Sequence, residues 1–311
     1  MKNKSSTKSL SLTIGSDPEL MLWDTQAGKI VSSMPVLGQT KENPILLGNG
    51  VKFYADNVLA EAAFNPIDIA GDIASHFRDV WVRVQERLGD RFRLLPKAAH
   101  LYDDDQLATK LVTPNGIEVT AFDIGCTPSL DVYRRCMNMP TPFKDGTRSS
   151  SMHIHIGNAN YKTDQEGALM TIESKEEAVK IMDIIVGCSS AIFDKDETAA
   201  ARRELGYGRA GNFRVCEYGL EFRVLSSYAL RSPILVDLVR DLTTHAMSFI
   251  IDDTVEDALA LVNPDDVEAA INNSDVTLAR SILKKVSMPS SLMKRVEQDY
   301  KLPSFNEAWG I

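Results

Sequence analysis

The chain has 311 residues, 44% hydrophobic and 25% charged, enough to bury one large core or two modest ones. Its formal net charge of -9 argues against adhesion to nucleic acid or anionic membrane through the whole surface, while leaving room for a local basic pocket. No apolar run reaches membrane-spanning length, and the basic start MKNKSSTKS leads into SLTIG without a long apolar segment, so 1–9 is expected to be a polar tail and not a signal peptide.

Residues 10–24 alternate loosely and predict a strand interrupted at Asp17-Pro18. Pro18 has no amide proton, so that strand is expected at a sheet edge or with a bulge. Ala27-Gly28-Lys29 turns into a short strand at 30–33, and 38–50, rich in Gly, Asn and Pro, reads as a loop. The segment 51–64 reads as a strand with Asp56, Asn57 and Glu61 at its centre or end. Ile69, Ile73, Phe77, Val80, Val84 and Leu88 carry a helical period over 67–88, and Gly89 fits its end. GIEVTAFDIGC, 116–126, is extended, and a Ser/Thr/Pro-rich loop at 140–151 precedes SMHIHIG. A helix is expected over 173–200, then two extended runs over 213–227 turning near Tyr218-Gly219. From 231 the pattern is helical, over 231–251, 254–262, 264–272, 275–285 and 291–300. The expected organisation is a sheet-containing unit over 10–230, with a helical part over 231–311 packed on the same domain. The four cysteines, Cys126, Cys136, Cys188 and Cys216, form no C-x-x-C motif and read as core or near-core thiols of a reducing compartment, the cytoplasm.

Three pairs of polar residues at i, i+2 stand out within apolar strand-like runs: Asp17 and Glu19, His153 and His155, Glu221 and Arg223. Side chains alternate along a strand, so each pair is expected on one face, and convergence of all three on one sheet face would build an active site. Two carboxylates on one face suit a hard divalent cation. Asp56 and Glu61 form a weaker acidic pair whose spacing requires a bend. His153 and His155 have the spacing of strand-borne metal ligands, but no third His or Cys lies nearby, which favours a carboxylate-rich Mg²⁺ site over zinc. Solvated edge acids, solvent-facing histidines or an inter-strand ion pair would produce the same letters. Arg202, Arg203, Arg209, Arg214 and Arg223 lie around Gly206, Gly208 and Gly211, the composition of an anion-binding loop, although no G-K-[ST] follows to make a Walker A sequence. Acids for Mg²⁺ beside arginines for phosphate point to ATP-dependent phosphoryl transfer.

The order D-P-E, D-N-x-x-x-E, M-H-I-H-I-G, Y-G-x-A-G-x-F-R and Y-G-x-E-F-R, from about 12 to 228, resembles the phage-associated carboxylate–amine ligases. These type 2 amidoligases belong to the superfamily of glutamine synthetase and glutamate–cysteine ligase. The resemblance implies an α+β fold, with a glutamine synthetase-like curved antiparallel sheet, flanking helices and a helical C-terminal region. It implies ATP and two or three Mg²⁺ ions on the concave face, and an amide formed from an acid and an amine through an acyl phosphate. By that resemblance Glu19, Glu61, His153 and Glu221 are metal ligands, with Asp17 where a second acidic ligand usually stands. His155 contacts phosphate or substrate, Arg223 the acyl group or transferred phosphate, and Arg214 and Arg209, with Arg203 beside them, the nucleotide phosphates. Asp56 supports Glu61 or takes a proton from the amine, and the 38–50 and 140–151 loops are expected to exclude water. The substrates are expected to be a small-molecule or peptide carboxylate and amine, in a bacteriophage setting, with a homo-oligomer allowed but not dictated. A metal-dependent phosphotransferase or hydrolase, or a catalytically inactive phage structural or binding protein on the same fold, are the competing readings.

Overall fold

The structure, a computed structural model, describes residues 11–121, 129–138, 146–163 and 167–311. The expected 1–9 tail, Cys126 with the end of the 116–126 run, and 140–145 of the 140–151 loop lie outside the described residues.

At Pro18 the chain passes from one sheet to another. The expected interrupted strand is two strands, Leu12–Gly15 and Glu19–Asp24, in different sheets. Leu12–Gly15 is an inner strand, antiparallel to Ile154–Asn158 on one side and Ile67–Asp68 on the other. Glu19–Asp24 is also inner, pairing with Leu59–Ala63 at its start and with Lys29–Val31 and Phe92–Leu95 farther on. Pro18, with no N–H to give a ladder, therefore sits at the transfer between sheets and not at the expected edge or bulge. The transfer is pinned by Glu19 N–H donating to the Ser151 carbonyl at 2.9 Å and Ala62 N–H donating to the Pro18 carbonyl at 3.1 Å.

Among the described residues the seven-stranded antiparallel sheet runs Cys136–Asn138, Ser129–Asp131, Asn212–Cys216, Gly219–Phe222, Ile154–Asn158, Leu12–Gly15, Ile67–Asp68. The six-stranded sheet runs Lys29–Val31, Glu19–Asp24, Leu59–Ala63, Lys52–Asp56, Ile45–Leu46, with Phe92–Leu95 also pairing Glu19–Asp24. This corrects the expected single curved sheet. Both sheets are open, each with distinct terminal strands, and neither curls round on itself. The strands are short and broken at Pro18, so the chain changes sheets instead of bending one continuous surface.

The stretch expected as one strand over 51–64 is a hairpin, turned by Asn57 at φ 59°, a left-handed conformation that asparagine tolerates. Its register sets Tyr54 opposite Glu61. The 67–88 helix begins only at Ile73, because Ile67–Asp68 is taken up as a strand; Asp72 caps it by accepting from Ser75 N–H at 2.9 Å. The 173–200 helix divides into Ile172–Met182, a π-turn at Asp183–Gly187, Cys188–Phe193 and Ala199–Glu204. Ile172–Met182 packs on Asn212–Cys216 and Gly219–Phe222, backing the sheet.

Ser232 caps the long helix Pro233–Ile251, and shorter helices follow to Phe305–Trp309, which was not expected from the sequence. A capping box between Ser304 and Glu307 starts that last helix. Trp309 is buried beside Phe77, Trp81 and Phe305, and its Nε1–H donates to the Leu230 carbonyl at 2.9 Å. Buried apolar residues from Leu12 to Trp309 form one continuous cluster. Cys188 is buried and Cys216 half-buried, but Cys136 is exposed, against the expectation of core thiols; all three are free. Among the described residues no helix is long and apolar enough to cross a membrane.

Candidate metal and anion site

Cross-strand register builds the centre of the site. Gly15 lies opposite His155, His155 opposite Glu221, and Glu221 opposite Arg214. Directly opposed residues share a sheet face, so these four form a row across adjacent strands. His153 and Arg223 lie two residues along from His155 and Glu221, just beyond the strand ends, and join the same cluster. Arg223 Nη1 contacts Glu221 Oε1, Arg214 Nη1 lies 3.4 Å from Oε2, and His153 Nδ1 lies 3.4 Å from Oε1.

Asp17 closes this cluster from the seam between the sheets. Both imidazoles converge on one of its oxygens, His153 Nδ1 at 3.2 Å and His155 Nε2 at 2.9 Å from Oδ1. Ser16 Oγ donates to the His153 carbonyl at 2.7 Å and holds the two segments together. The phenol of Tyr218 contacts His155 Nδ1.

Glu19 goes elsewhere. It pairs in register with Glu61 in the six-stranded sheet, and Asp56 joins them. The sequence pair Asp17 and Glu19 is thus divided between two neighbouring donor groups, which corrects the expectation that both project from one face. Pro18 breaks the strand between them, so the alternation rule does not carry across. Tyr54 donates to Glu61 Oε1, and Lys41 Nζ lies 3.7 Å from the same oxygen.

The electrostatics differ between the two groups. Burial and then the adjoining carboxylates of Asp56, Asp17 and Glu19 push Glu61 well above the usual range. Burial also raises Glu19; His153 opposes that rise and Asp56 adds to it. Burial alone would raise Asp17, yet the imidazoles of His155 and His153 hold it well below the usual carboxylate range. Glu221 is likewise held low against its burial by His153 and Arg223. His155 is pulled up by Asp17 in spite of burial.

Among the described residues three groups place donor atoms within 4.8 Å of one another: Glu19, Asp56 and Glu61; Asp17, His153 and Glu221; His155, Cys216 and Glu221. The first is all oxygen, the donor chemistry of a hard cation such as Mg²⁺ or Mn²⁺. Three enclosed carboxylates repel one another unless a proton or cation neutralises them. The second mixes carboxylates with an imidazole, and Glu221 is shared with the third.

The arginines separate into two sets. Arg214 and Arg223 flank Glu221. Arg203 is buried and its Nη1 donates to Ser274 Oγ, while Arg209 lines a separate hollow with Arg134, Asp265 and Glu268. Arg202, to which the sequence assigns no role of its own, proves central. It is 1% exposed, and its guanidinium donates to the carbonyls of Val224 and Arg223 and to Ser151 Oγ, at 3.0, 3.4 and 3.0 Å. Burial, followed by neighbouring Arg203, lowers it to about 9. Gly208, at φ 65°, rests directly on that guanidinium, where a Cβ would overlap it. The close R-R and Y-G spacing was the signal in the sequence; which arginine turned inward was not. Of the two loops expected to exclude water, 38–50 contains the strand Ile45–Leu46 and brings Lys41 to Glu61, while the described end of the other pairs Thr147–Ser149 with Ala99–Leu101.

No family model matches the chain, and no curated protein matches it. Among solved structures, one described as a novel glutamine synthase homolog is similar over 92% of this chain and 71% of its own, at 13% identity and a TM-score of 0.37. Similarity at that level assigns no family and carries no argument about chemistry.

Proposed function

We propose that the protein is an ATP- and Mg²⁺-dependent carboxylate–amine ligase acting on a small-molecule or peptide acid and amine. The observation that supports this best is the adjacency, at the seam between the sheets, of an all-oxygen donor group and a His–Glu–Arg row. Glu19 and Glu61, with Asp56 beside them, have donors for one Mg²⁺, and Asp17, His153 and Glu221 those for another. When bound, Mg²⁺ would offset phosphate charge and polarise the phosphoryl oxygens.

The chain's own residues have distinct parts in this reading. A carboxylate cannot leave oxide behind, so it must first become an acyl phosphate, from which an amine expels phosphate. Arg223 and Arg214 offset the charge of the transferred phosphoryl and of the activated acid. His155, between Asp17 and Tyr218, orients the reacting groups from the opposite side of Glu221. Asp56 takes the proton released by the incoming amine.

The test is ADP release from purified protein with MgATP and a pool of amino acids and short peptides, with product masses read in the same wells. ADP together with a mass equal to acid plus amine minus water supports the ligase. ADP release independent of amine would point to a phosphotransferase or hydrolase. Absence of MgATP binding by calorimetry would remove the reading altogether. Glu19→Gln should abolish Mg²⁺-dependent turnover with the fold intact, and unchanged turnover would exclude Glu19.

A further inference from the structure

Charge is segregated along this chain. Residues 241–279 hold nine Asp or Glu and no Lys or Arg, so a charge equal to the whole chain's -9 lies in that segment and the remainder balances. Asp241 and Glu268 are matched by Arg295 and Arg134, but Asp252, Asp253, Glu256 and Asp257 stand exposed. Two large apolar side chains flank them in the open, Ile251 at 44% and Leu261 at 54% exposure. The last turn of Pro233–Ile251 has no basic residue, and Asp252 and Asp253 follow it, the sign of charge that a helix C-terminus disfavours. Cations from outside would relieve this acidic lobe at 251–261.

A groove of about 1020 Å³, away from the metal and anion site, has the opposite character. Lys29, Arg93, Lys97, Lys195 and Arg231 line it, against two acids, Asp196 and Glu197. Lys29, Arg93 and Lys97 reach carboxylates only at 4.0, 3.9 and 3.7 Å, in loose pairs that hardly bind their charge. Lys195 Nζ and Arg231 Nη2 donate instead to the backbone carbonyls of Ile192 and Pro303. Trp23, opposite Ile30 and Arg93 in the six-stranded sheet, also lines the groove and is 37% exposed. Cations around an uncovered indole suit a partner that is acidic and partly apolar.

One helix spans the distance between the two surfaces. Tyr228 and Arg231, just before its Ser232 cap, line the groove. Ile251, at the other end of its 19 residues, begins the acidic lobe about 28 Å away. Lobe and groove are therefore too far apart to meet within one molecule, while their charges match between molecules.

We propose that the groove is a docking surface for the acidic lobe of a second copy of this chain. Asp252, Asp253, Glu256 and Asp257 of one copy meet Lys97, Lys195 and Arg231 of the other, and Ile251 and Leu261 bring apolar surface to Trp23. With lobe and groove at opposite ends of one helix, two copies can satisfy both contacts as an antiparallel pair, or more can extend head to tail. The inference is independent of the ligase reading, because no residue of the lobe or the groove belongs to the metal and anion site.

Sedimentation velocity on the full chain tests this, up to a concentration of about 0.1 mM. The wild type should associate in about 0.05 M salt and at least about tenfold more weakly in about 1 M, where the screening length falls to about 3 Å. Lys97→Gln with Lys195→Gln neutralises the groove; Asp252→Asn with Asp253→Asn and Glu256→Gln neutralises the lobe. Each variant should keep its melting temperature within a few degrees and associate at least about tenfold more weakly than wild type. An equimolar mixture of the two should associate more tightly than either alone, since one still offers a lobe and the other a groove. A wild type that stays monomeric, association indifferent to salt, variants that associate as wild type does, or a mixture no tighter than its components would overturn the assignment. Binding of hexaglutamate to a monomeric wild type but not to the groove variant, read by calorimetry, would give the groove to a different acidic partner.

Discussion

Glu19 and Glu61 lie in register on neighbouring antiparallel strands, with Asp56 close enough to bring donor oxygens of all three within 4.8 Å. Such a group stores like-charge repulsion that a divalent cation relieves. A cation that binds only the folded chain at a hundred times its Kd adds about 2.7 kcal/mol. Mg²⁺ or Mn²⁺ should therefore raise the wild-type Tm by several degrees. Glu61→Gln should lose most of that rise while melting no lower than wild type without metal. An undiminished metal response in the variant would exclude this group as the cation site.

Gly208 and Arg202 make a second tight relation. Replacing Gly208 with Ala would drive the Arg202 guanidinium from its places on Val224, Arg223 and Ser151 and would strain a left-handed backbone. The cost should be about 2 kcal/mol or more. Gly116→Ala, also at positive φ but with nothing within 4 Å, should cost only about 1 kcal/mol. Equal losses in denaturant melts would show that backbone strain, and not the arginine, sets the requirement.

Arg223 contacts Glu221, which also has Arg214 and His153 beside it, so removal of Arg223 leaves the carboxylate partly compensated. Arg223→Ala should lower ATP-dependent turnover by about 10²–10³-fold, the scale of a lost charge-stabilising donor. The stability loss should stay below the roughly 3–5 kcal/mol of an uncompensated buried ion pair. Arg223→Lys should recover stability more than activity, because a point charge lacks the guanidinium's paired donors. Normal specific activity with a large fall in Tm would make Arg223 a structural ion-pair partner only.

Asp183, in the π-turn, is fully buried, and the Gly211 amide donates to its Oδ2 at 2.6 Å. Burial pushes its carboxyl well above 3.8, against the Gly211 and Tyr133 hydrogen bonds that would lower it. The folded state therefore keeps a proton that the unfolded chain releases, so this residue makes stability fall as pH rises from the unfolded value toward the raised folded one. Asp183→Asn should remove that slope, and its advantage over wild type in urea melts should grow from pH 4 to pH 8. A parallel offset at every pH would show that Asp183 is ionised in the fold.

Much of the local grammar was legible in the residues. The alternation around His155 and Glu221 predicted strands, and Tyr218-Gly219 predicted the turn that sets Arg214 opposite Glu221. The helix at Ile73–Leu88 was legible from its apolar stripe, although its start was placed too early because Ile67 and Ile69 fit the same period. The hairpin at Asn57 was missed because the two halves of 51–64 are both apolar and the turn needs only one left-handed asparagine. Phe305–Trp309 was missed because five residues cannot display a helical period; its place is set by Trp309 packing on Phe77 and Trp81.

The sequence by itself determined the chemical inventory: acids, two histidines and arginines in short apolar strands, whose polar groups cannot be buried unpartnered. Tertiary structure alone decided who partners whom. Asp17 meets His153 across 136 residues of chain, while Glu19, two positions away, turns to Glu61 in the other sheet. Spacing rules hold only while a strand is continuous, and Pro18 ends that continuity. Likewise Arg202 and Arg203 are both buried but part company, Arg202 reaching the Val224 and Arg223 carbonyls and Arg203 reaching Ser274 Oγ, and that division depends on which acceptors the fold brings to each. Desolvating a guanidinium is tolerable only where such acceptors are already in place.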